Sequence, residues 1–479
     1  MENKLIKKYG LFTAICMVVG IVVGSGIFFK AQDILNATDG NLKIGVLAWL
    51  IGGAIMLACL LAFSFMAQRY EKVNGIVDYA EALVGKKYAY YMGWFNTFIY
   101  YPAMTSVLAW VSARYTLVFI TSANPNFPMT IPASEGGCII GPECMVIMMF
   151  YLCMSYVVNS ISPKLAGKFQ TTTTVIKFIP LVLMAVVGIV YGLVNPSHTL
   201  IENFANSAVS EGKSSMGLLL AAVCTTAFAY EGWIIATSIN AELKNAKKNL
   251  PIALTLGGVI IITIYVGYNI GVAGGATSEE LVANGATVAF RNIFGGFFGN
   301  LLNLFIAISC LGTLNGLMLA STRGIYAIAA RKQGPAHEML SQVDGKTNMP
   351  NNSAVIGLAV CAVWGTYFYL ANLAGTWGGI FAFDSSELPI ITIYAMYLPI
   401  FIMWMVKAKD ENVWKRFALP ILAILGSIIM VGTCIYKHGL PCIGYLIIFF
   451  CIMGVGGIFL HCKKKTPAAD NPSAETEES

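Results

Sequence analysis

The chain has 479 residues, 57% of them hydrophobic and 11% charged, with a mean hydropathy of +0.71. Soluble domains carry about 25% charged residues, so a soluble enzyme or binding module is excluded and a polytopic helical membrane protein is expected. The net charge of +6 is assigned to basic loops on one side of a bilayer, not to nucleic-acid binding.

A membrane helix needs about 20 apolar residues. By that rule twelve spans are expected, at 9–35, 43–67, 88–121, 142–161, 168–194, 216–243, 250–274, 291–330, 353–370, 376–406, 416–436 and 440–462. The third and eighth are long, which implies tilt or an extra amphipathic turn. The first run has no small-residue cleavage site and outlasts a signal peptide, so it is expected to stay as an anchor. Pro251 falls in the first turn of the seventh span, where its missing N–H costs nothing.

Of the 30 Lys and Arg, five (Lys30, Lys43, Lys213, Arg291 and Lys437) fall on one side of this arrangement. Arg114 and Lys177 lie within spans, and the other 23 share the side of the N-terminus. That bias predicts cytoplasmic termini and an even number of spans. The loop from about Arg331 to Asn352 is too short for a soluble domain. One transmembrane domain is therefore expected over 1–462. The polar stretch 463–479 reads as a disordered cytoplasmic tail.

Two of the apolar runs are interrupted. The first carries Gly24-Ser25-Gly26 and the sixth carries Glu231-Gly232. Paired interruptions in corresponding spans point to a transporter site at the membrane midplane. The alternative for the first run is that Gly20, Gly24 and Gly26 only allow close helix packing. A broken helix exposes carbonyls on one side, here near Val23 and near Phe228-Ala229. It exposes N–H groups and a positive dipole end on the other, near Ser25 and near Gly232-Trp233. A zwitterionic α-amino acid uses both.

Lys177 lies well inside the fifth span, where a charge must be paired, face a polar cavity, or snorkel to the basic edge. Glu231 either contacts a cation, a proton or Lys177, or caps the freed N–H groups of its own break. Phe228, Tyr230 and Trp233 either close the site or pack helices. Glu242 and Arg323 are a candidate inner pair. Asp384 and Glu387 are placed in the tenth span, as pathway groups or beside an aqueous vestibule. Arg114 is expected to snorkel outward. Cys138 and Cys144 share an outer loop and are a candidate disulfide. The twelve cysteines and four histidines show no C-x-x-C and no ligand-like spacing, so no metal and no cofactor are expected.

The stretch Gly20-Ile21-Val22-Val23-Gly24-Ser25-Gly26-Ile27-Phe28 resembles the first-helix signature of the amino acid–polyamine–organocation superfamily. Phe228-Ala229-Tyr230-Glu231-Gly232-Trp233 resembles the sixth-helix motif of its L-type amino acid transporter branch. Glu242 through Pro251 is similar to the inner-loop signature that follows, and Asn315 through Arg323 to Gly334-Pro335 to the eighth helix and its exit. The resemblance implies an all-α fold of about twelve spans. Five plus five helices would form an inverted repeat (about 9–194 and 216–406), with discontinuous helices 1 and 6 and two further helices at 416–462. It implies a substrate carboxylate at Ser25 and Gly26 and an amine at the carbonyls of Val22, Val23 and Phe228. Phe228 would be an outer gating aromatic. Gly24, Ala229, Tyr230, Glu231, Gly232, Trp233 and Thr313 would complete the pocket.

Lys177 matches a lysine that stands where sodium-coupled relatives hold a sodium ion, with Ser309 beside it. Sodium-independent exchange or proton-linked transport of amino acids across the plasma membrane is thus expected, with neutral amino acids first. A cationic amino acid or an amine–amino acid antiport, using Glu231, is the alternative. Glu231 stands where many members carry Gly. Cys138 lies near the position at which animal light subunits bond a heavy subunit, but no such partner is expected here. No enzyme constellation is present in the sequence.

Overall fold

The computed structural model describes residues 10–24, 26–70, 75–161, 163–197, 199–205, 213–236, 243–345 and 349–462. The chain opens with α1 (Leu11–Val22) and α2 (Gly26–Ala37), then α3 (Leu42–Arg69), a short α4 (Ile76–Leu83), the long α5 (Lys86–Ala123), α6 (Gly137–Ile161) and α7 (163–194). It continues through α8 (Ser215–Ala229), α9 (Trp233–Ala236), α10 (Ala246–Gly275), α11 (Ala286–Phe294) and α12 (Gly296–Ala329). The last helices are α13 (Asn351–Leu373), α14 (Leu388–Lys407), α15 (Trp414–His438) and α16 (Pro441–Cys462).

Ten helices among the described residues are long and apolar enough to cross a membrane. The shorter α1 and α8 are halves of the two interrupted spans, which brings the architecture to the expected twelve. Val146, Phe150, Val186, Val190, Ile428 and Phe450 are exposed. Such an apolar outer surface suits lipid rather than water. Inside the bundle, small residues let backbones meet. A Cβ at Gly188 would sit 2.4 Å from the Gly271 carbonyl oxygen, and one at Gly192 would sit 2.4 Å from Gly274 Cα. These contacts seam α7 to α10. At the start of α3 the Asn41 side chain accepts from the Ile44 amide at 3.0 Å, which satisfies one of the free donors of that helix end.

Two spans differ from expectation. The tenth was placed at 376–406, but α14 starts at Leu388. The preceding stretch holds Gly375 and Gly379 at φ +62° and +68°, a backbone that ends helix despite the apolar composition. Asp384 and Glu387 therefore precede the helix. The eighth was placed at 291–330, but Gly295, at φ +87°, divides α11 from α12. The tail, 463–479, lies outside the described residues.

Candidate functional site

The two interruptions fall where the sequence puts them. Helix α1 ends at Val22 and α2 begins at Gly26; α8 ends at Ala229 and α9 begins at Trp233. Glycine is required here by distance. A Cβ on Gly26 would lie 2.6 Å from Ala229 Cα, and one on Gly24 would lie 2.8 Å from Thr313 Oγ1 of α12. The two breaks thus touch backbone to backbone, and the second turns at Gly232 with φ +101°, a conformation that suits glycine. Ser25 lies outside the described residues.

Around the breaks is a cavity of about 130 Å³. Of the expected residues, Val22, Gly24, Gly26, Phe228, Ala229, Glu231, Gly232 and Thr313 line it. Val23 is buried beside it. Tyr230 and Trp233 turn away from the cavity, which corrects their placement in its wall. Tyr230 donates to the Trp49 carbonyl at 2.8 Å. Trp233 packs on Phe63 and Tyr397 at centroid distances of 5.7 and 5.8 Å. Both serve helix packing, since each is wholly buried against neighbouring helices outside the cavity wall.

The freed carbonyls have a protein donor that the motifs do not contain. Tyr265 of α10 places its hydroxyl 3.1 Å from both the Val22 and the Ala229 carbonyl oxygens. One phenol thus bridges the two C-terminal half-helix ends, as buried backbone acceptors require. A carbonyl oxygen has two lone pairs, so the Val22 oxygen keeps one for a ligand.

Glu231 is half-buried by the cavity wall, and its Oε1 accepts a hydrogen bond from the Tyr100 hydroxyl of α5. Its Oε2 has no partner among the described residues. Glu231 does not reach Lys177. The Lys177 ammonium is buried and donates to the Gly20 carbonyl at 2.6 Å, one turn ahead of the first break. Lys177 therefore points into the bundle instead of snorkelling to the basic edge. Ser309 is buried on α12; its carbonyl accepts from Thr313 Oγ1 at 3.3 Å, and its hydroxyl has no partner among the described residues.

Sequence reasoning missed the wall that α5 supplies: Tyr100, Met104 and Leu108. Gly316 and Leu317 of α12 were missed as well. A signal for α5 was present in Tyr100-Tyr101-Pro102. Pro102 has no N–H for the Phe98 carbonyl, and the Trp364 indole donates to that carbonyl instead, at 2.8 Å. The helix widens into a π turn at Asn96–Tyr100. Such turns commonly mark functional positions, and this one presents Tyr100 to Glu231.

On the Lys30 side the cavity is closed. Phe228 meets Phe29 edge to face at 5.6 Å, and Phe29 meets Trp110 at 5.5 Å. Beyond them Lys30 and Lys437 are not loop charges. Both converge on Glu387, which is wholly buried. Lys30 lies 2.9 Å from Oε1, Lys437 lies 2.7 Å from Oε2, and His438 lies 2.9 Å from Oε2. Asp384 instead accepts from the Ser386 amide at 2.7 Å, an Asx turn that shapes the approach to α14.

On the other side a second cavity of about 180 Å³ is lined by Asn96, Thr97, Tyr101, Arg323 and Arg331. Arg331 pairs with Asp78 at 2.6 Å. Of the expected inner pair, Glu242 lies outside the described residues, and Arg323 approaches the Met349 thioether at 3.7 Å. Arg114 is only half-buried, with its guanidinium 5.4 Å from the Tyr115 ring centroid. Cys138 and Cys144 are buried free thiols.

Two broken helices meeting end to end around a cavity closed on the Lys30 side, inside a twelve-span bundle, define a membrane transporter. Comparison with known proteins gives the family: residues 9–458 match amino acid permeases, and the chain belongs to that family, within the amino acid–polyamine–organocation superfamily. Over 451 residues it is 30% identical to the serine/threonine exchanger SteT of Bacillus subtilis (strain 168), covering 92% of this chain and 94% of that one. It is 26% identical over 351 residues to the human large neutral amino acids transporter small subunit 2, covering 72% of this chain and 61% of the relative. It is 25% identical over 368 residues to the mouse Asc-type amino acid transporter 1, covering 76% and 66%. The chain thus spans less than two thirds of the length of these two animal relatives.

Proposed function

We propose that the protein exchanges small neutral L-amino acids across the plasma membrane, independently of sodium, with both termini in the cytoplasm. The observation that carries this reading is the contact of the two breaks at Gly26 and Ala229. It sets freed amides and freed carbonyls on one cavity, as an ammonium–carboxylate pair requires. In this reading the carboxylate meets the first turn of α2 at Ser25 and Gly26, and the amine meets the carbonyls of Val22, Val23 and Phe228. The volume, about 130 Å³, is well below the ~300–1,000 Å³ of pockets for drug-sized ligands, which favours a side chain of the size of serine or threonine. The serine/threonine specificity named for the bacterial relative agrees with it.

Lys177 sets its amine against α1 at the Gly20 carbonyl, the place that a sodium ion would otherwise fill in this reading. Ser309 and Thr313 hold the facing turn of α12. The first repeat (about 9–194) and the second (216–406) rock about this site, with Phe228 as the aromatic closure on the Lys30 side. No heavy-chain partner is needed: the Cys138 thiol is buried beside Thr121 at 3.6 Å. Nor is the protein an enzyme in this reading, because its relatives are named for moving amino acids.

A second reading rests on the unpartnered Oε2 of Glu231. A carboxylate in the wall would hold the side-chain cation of a basic amino acid or an amine. Counterflow in proteoliposomes separates the two. Vesicles loaded with unlabelled serine are given labelled serine, and competitors are added outside. Inhibition by threonine and alanine, with lysine and putrescine inert, is expected. Inhibition by lysine or putrescine alone would overturn the neutral assignment.

A further inference from the structure

At the edge of the ionic cluster around Glu387 lies a second set of side chains that the transport reading does not use. Cys224 of α8, Cys434 of α15 and His438 of α15 offer ligand atoms that all lie within 4.8 Å of one another. Cys434 and His438 are four residues apart on one helix and so share a face. Cys224 reaches them from the neighbouring helix. The Glu387 Oε2 atom, 3.6 Å from Cys224 Sγ and 2.9 Å from His438 Nε2, borders this set of three and is itself held by Lys30 and Lys437.

We propose that Cys224, Cys434 and His438 form a binding site for a thiophilic divalent cation of the zinc type. The donor chemistry is that of zinc: two thiolates and one imidazole nitrogen, with the fourth tetrahedral position left for a water. Zinc–ligand bonds of about 2.0–2.3 Å put tetrahedral donors roughly 3.5 Å apart, so donors now within 4.8 Å of one another draw together by up to about 1.3 Å on binding. The charge also balances. Lys30 and Lys437 already lie against Glu387, and an added dication beside two ammonium groups would ordinarily be repelled. Here each thiol releases its proton on ligation, and two departing protons match the two charges of the incoming ion. The cluster gains no net charge. The side chains of Lys437 and His438 are 24% and 11% exposed along α15, while Cys224 and Cys434 are buried.

Nothing in the linear sequence advertises such a site beyond the Cys434-x-x-x-His438 spacing, because Cys224 lies far away in the chain. The expectation of no metal rested on the missing C-x-x-C pattern, and helix packing supplies the proximity instead. The inference is independent of the exchange reading, since it concerns the far side of the Phe228–Phe29 closure and not the cavity.

The test is Co²⁺ titration of the full-length protein, purified in detergent and kept reduced, read by absorbance. Binding of one Co²⁺ per chain with a thiolate-to-cobalt charge-transfer band is expected, and stoichiometric Zn²⁺ should bleach it. Cys224→Ser and His438→Gln should each lose the band, whereas Cys153→Ser/Cys451→Ser, at exposed thiols, should retain it. Size-exclusion profiles matching the wild type show that the variants are folded. Absence of the band in the reduced wild-type protein would overturn the proposal, as would its persistence in folded Cys224→Ser. So would an adventitious response only, with several Co²⁺ bound per chain and no thiolate band.

Discussion

Glu231 and Glu387 are the same residue type in one bundle, yet their surroundings are opposite. Glu387 is wholly buried among Lys30, Lys437 and His438, from α2 and α15. Glu231 borders a cavity with a single phenol on one oxygen and nothing on the other among the described residues. A buried carboxylate surrounded by cations is already satisfied, and removing it strands those cations. A carboxylate with an unoccupied oxygen on a cavity is held ready for a ligand, a proton or a water. Charge inside a membrane therefore marks function only where its partners are incomplete. By that criterion the first region ties helices together and the second is the proposed site.

The comparison can be broken in several ways, ordered here by the size of the expected effect. Glu387→Ala leaves buried Lys30 with only the half-exposed Asp33, at 3.3 Å, and takes the counter-charge from Lys437; removal of one partner of a buried pair costs about 3–5 kcal/mol. A large fall in the thermal midpoint in detergent is expected, and a midpoint equal to the wild type would show that the cluster does not hold the bundle. Gly26→Ala puts a methyl group 2.6 Å from Ala229 Cα. The breaks must part, and serine exchange should fall by at least tenfold, about 1.4 kcal/mol, in protein that still elutes as a single species. Retained exchange would detach the site from the contact of the two breaks.

Lys177→Ala removes the ammonium from the Gly20 carbonyl. Loss or uncoupling of transport is predicted with normal expression, and wild-type kinetics would remove Lys177 from the mechanism. Tyr265→Phe takes away the hydroxyl shared by the Val22 and Ala229 carbonyls. An unsatisfied buried acceptor costs about 1–3 kcal/mol, so a modest loss of stability with weakened serine affinity is expected, and unchanged values of both would contradict it. Glu231→Gln keeps an oxygen to accept from Tyr100. Neutral exchange should change least of all, by less than about threefold, or under about 0.7 kcal/mol. Abolition would move the assignment to a cationic substrate.

Much of this fold is legible in sequence because the bilayer forces a simple code: a run of apolar residues must be a helix with its backbone satisfied internally. The twelve spans, both breaks and the buried position of Lys177 follow from that code and from glycine placement. Span edges fail where composition and backbone disagree, as between Gly375 and Leu388, where apolar residues sit in a non-helical stretch. The site is half legible. Positions along the two motifs are readable, but the directions of Tyr230 and Trp233 depend on how each half-helix is rotated, which tertiary packing decides. The contributions of Tyr100 and Tyr265 arise from helices that carry no motif. The cluster around Glu387 was hidden for a further reason. Lys30 and Lys437 read as charges on one side of the bilayer, because no one-dimensional rule pairs Glu387 with residues 357 and 50 positions away.

The most direct test of the account is uptake of labelled serine into proteoliposomes that are either empty or loaded with unlabelled serine, each with and without sodium outside. Uptake that requires internal serine and is the same in both salts is the predicted result. Concentrative uptake into empty vesicles that appears only with sodium would contradict it, since Lys177 could not then be standing in for the ion.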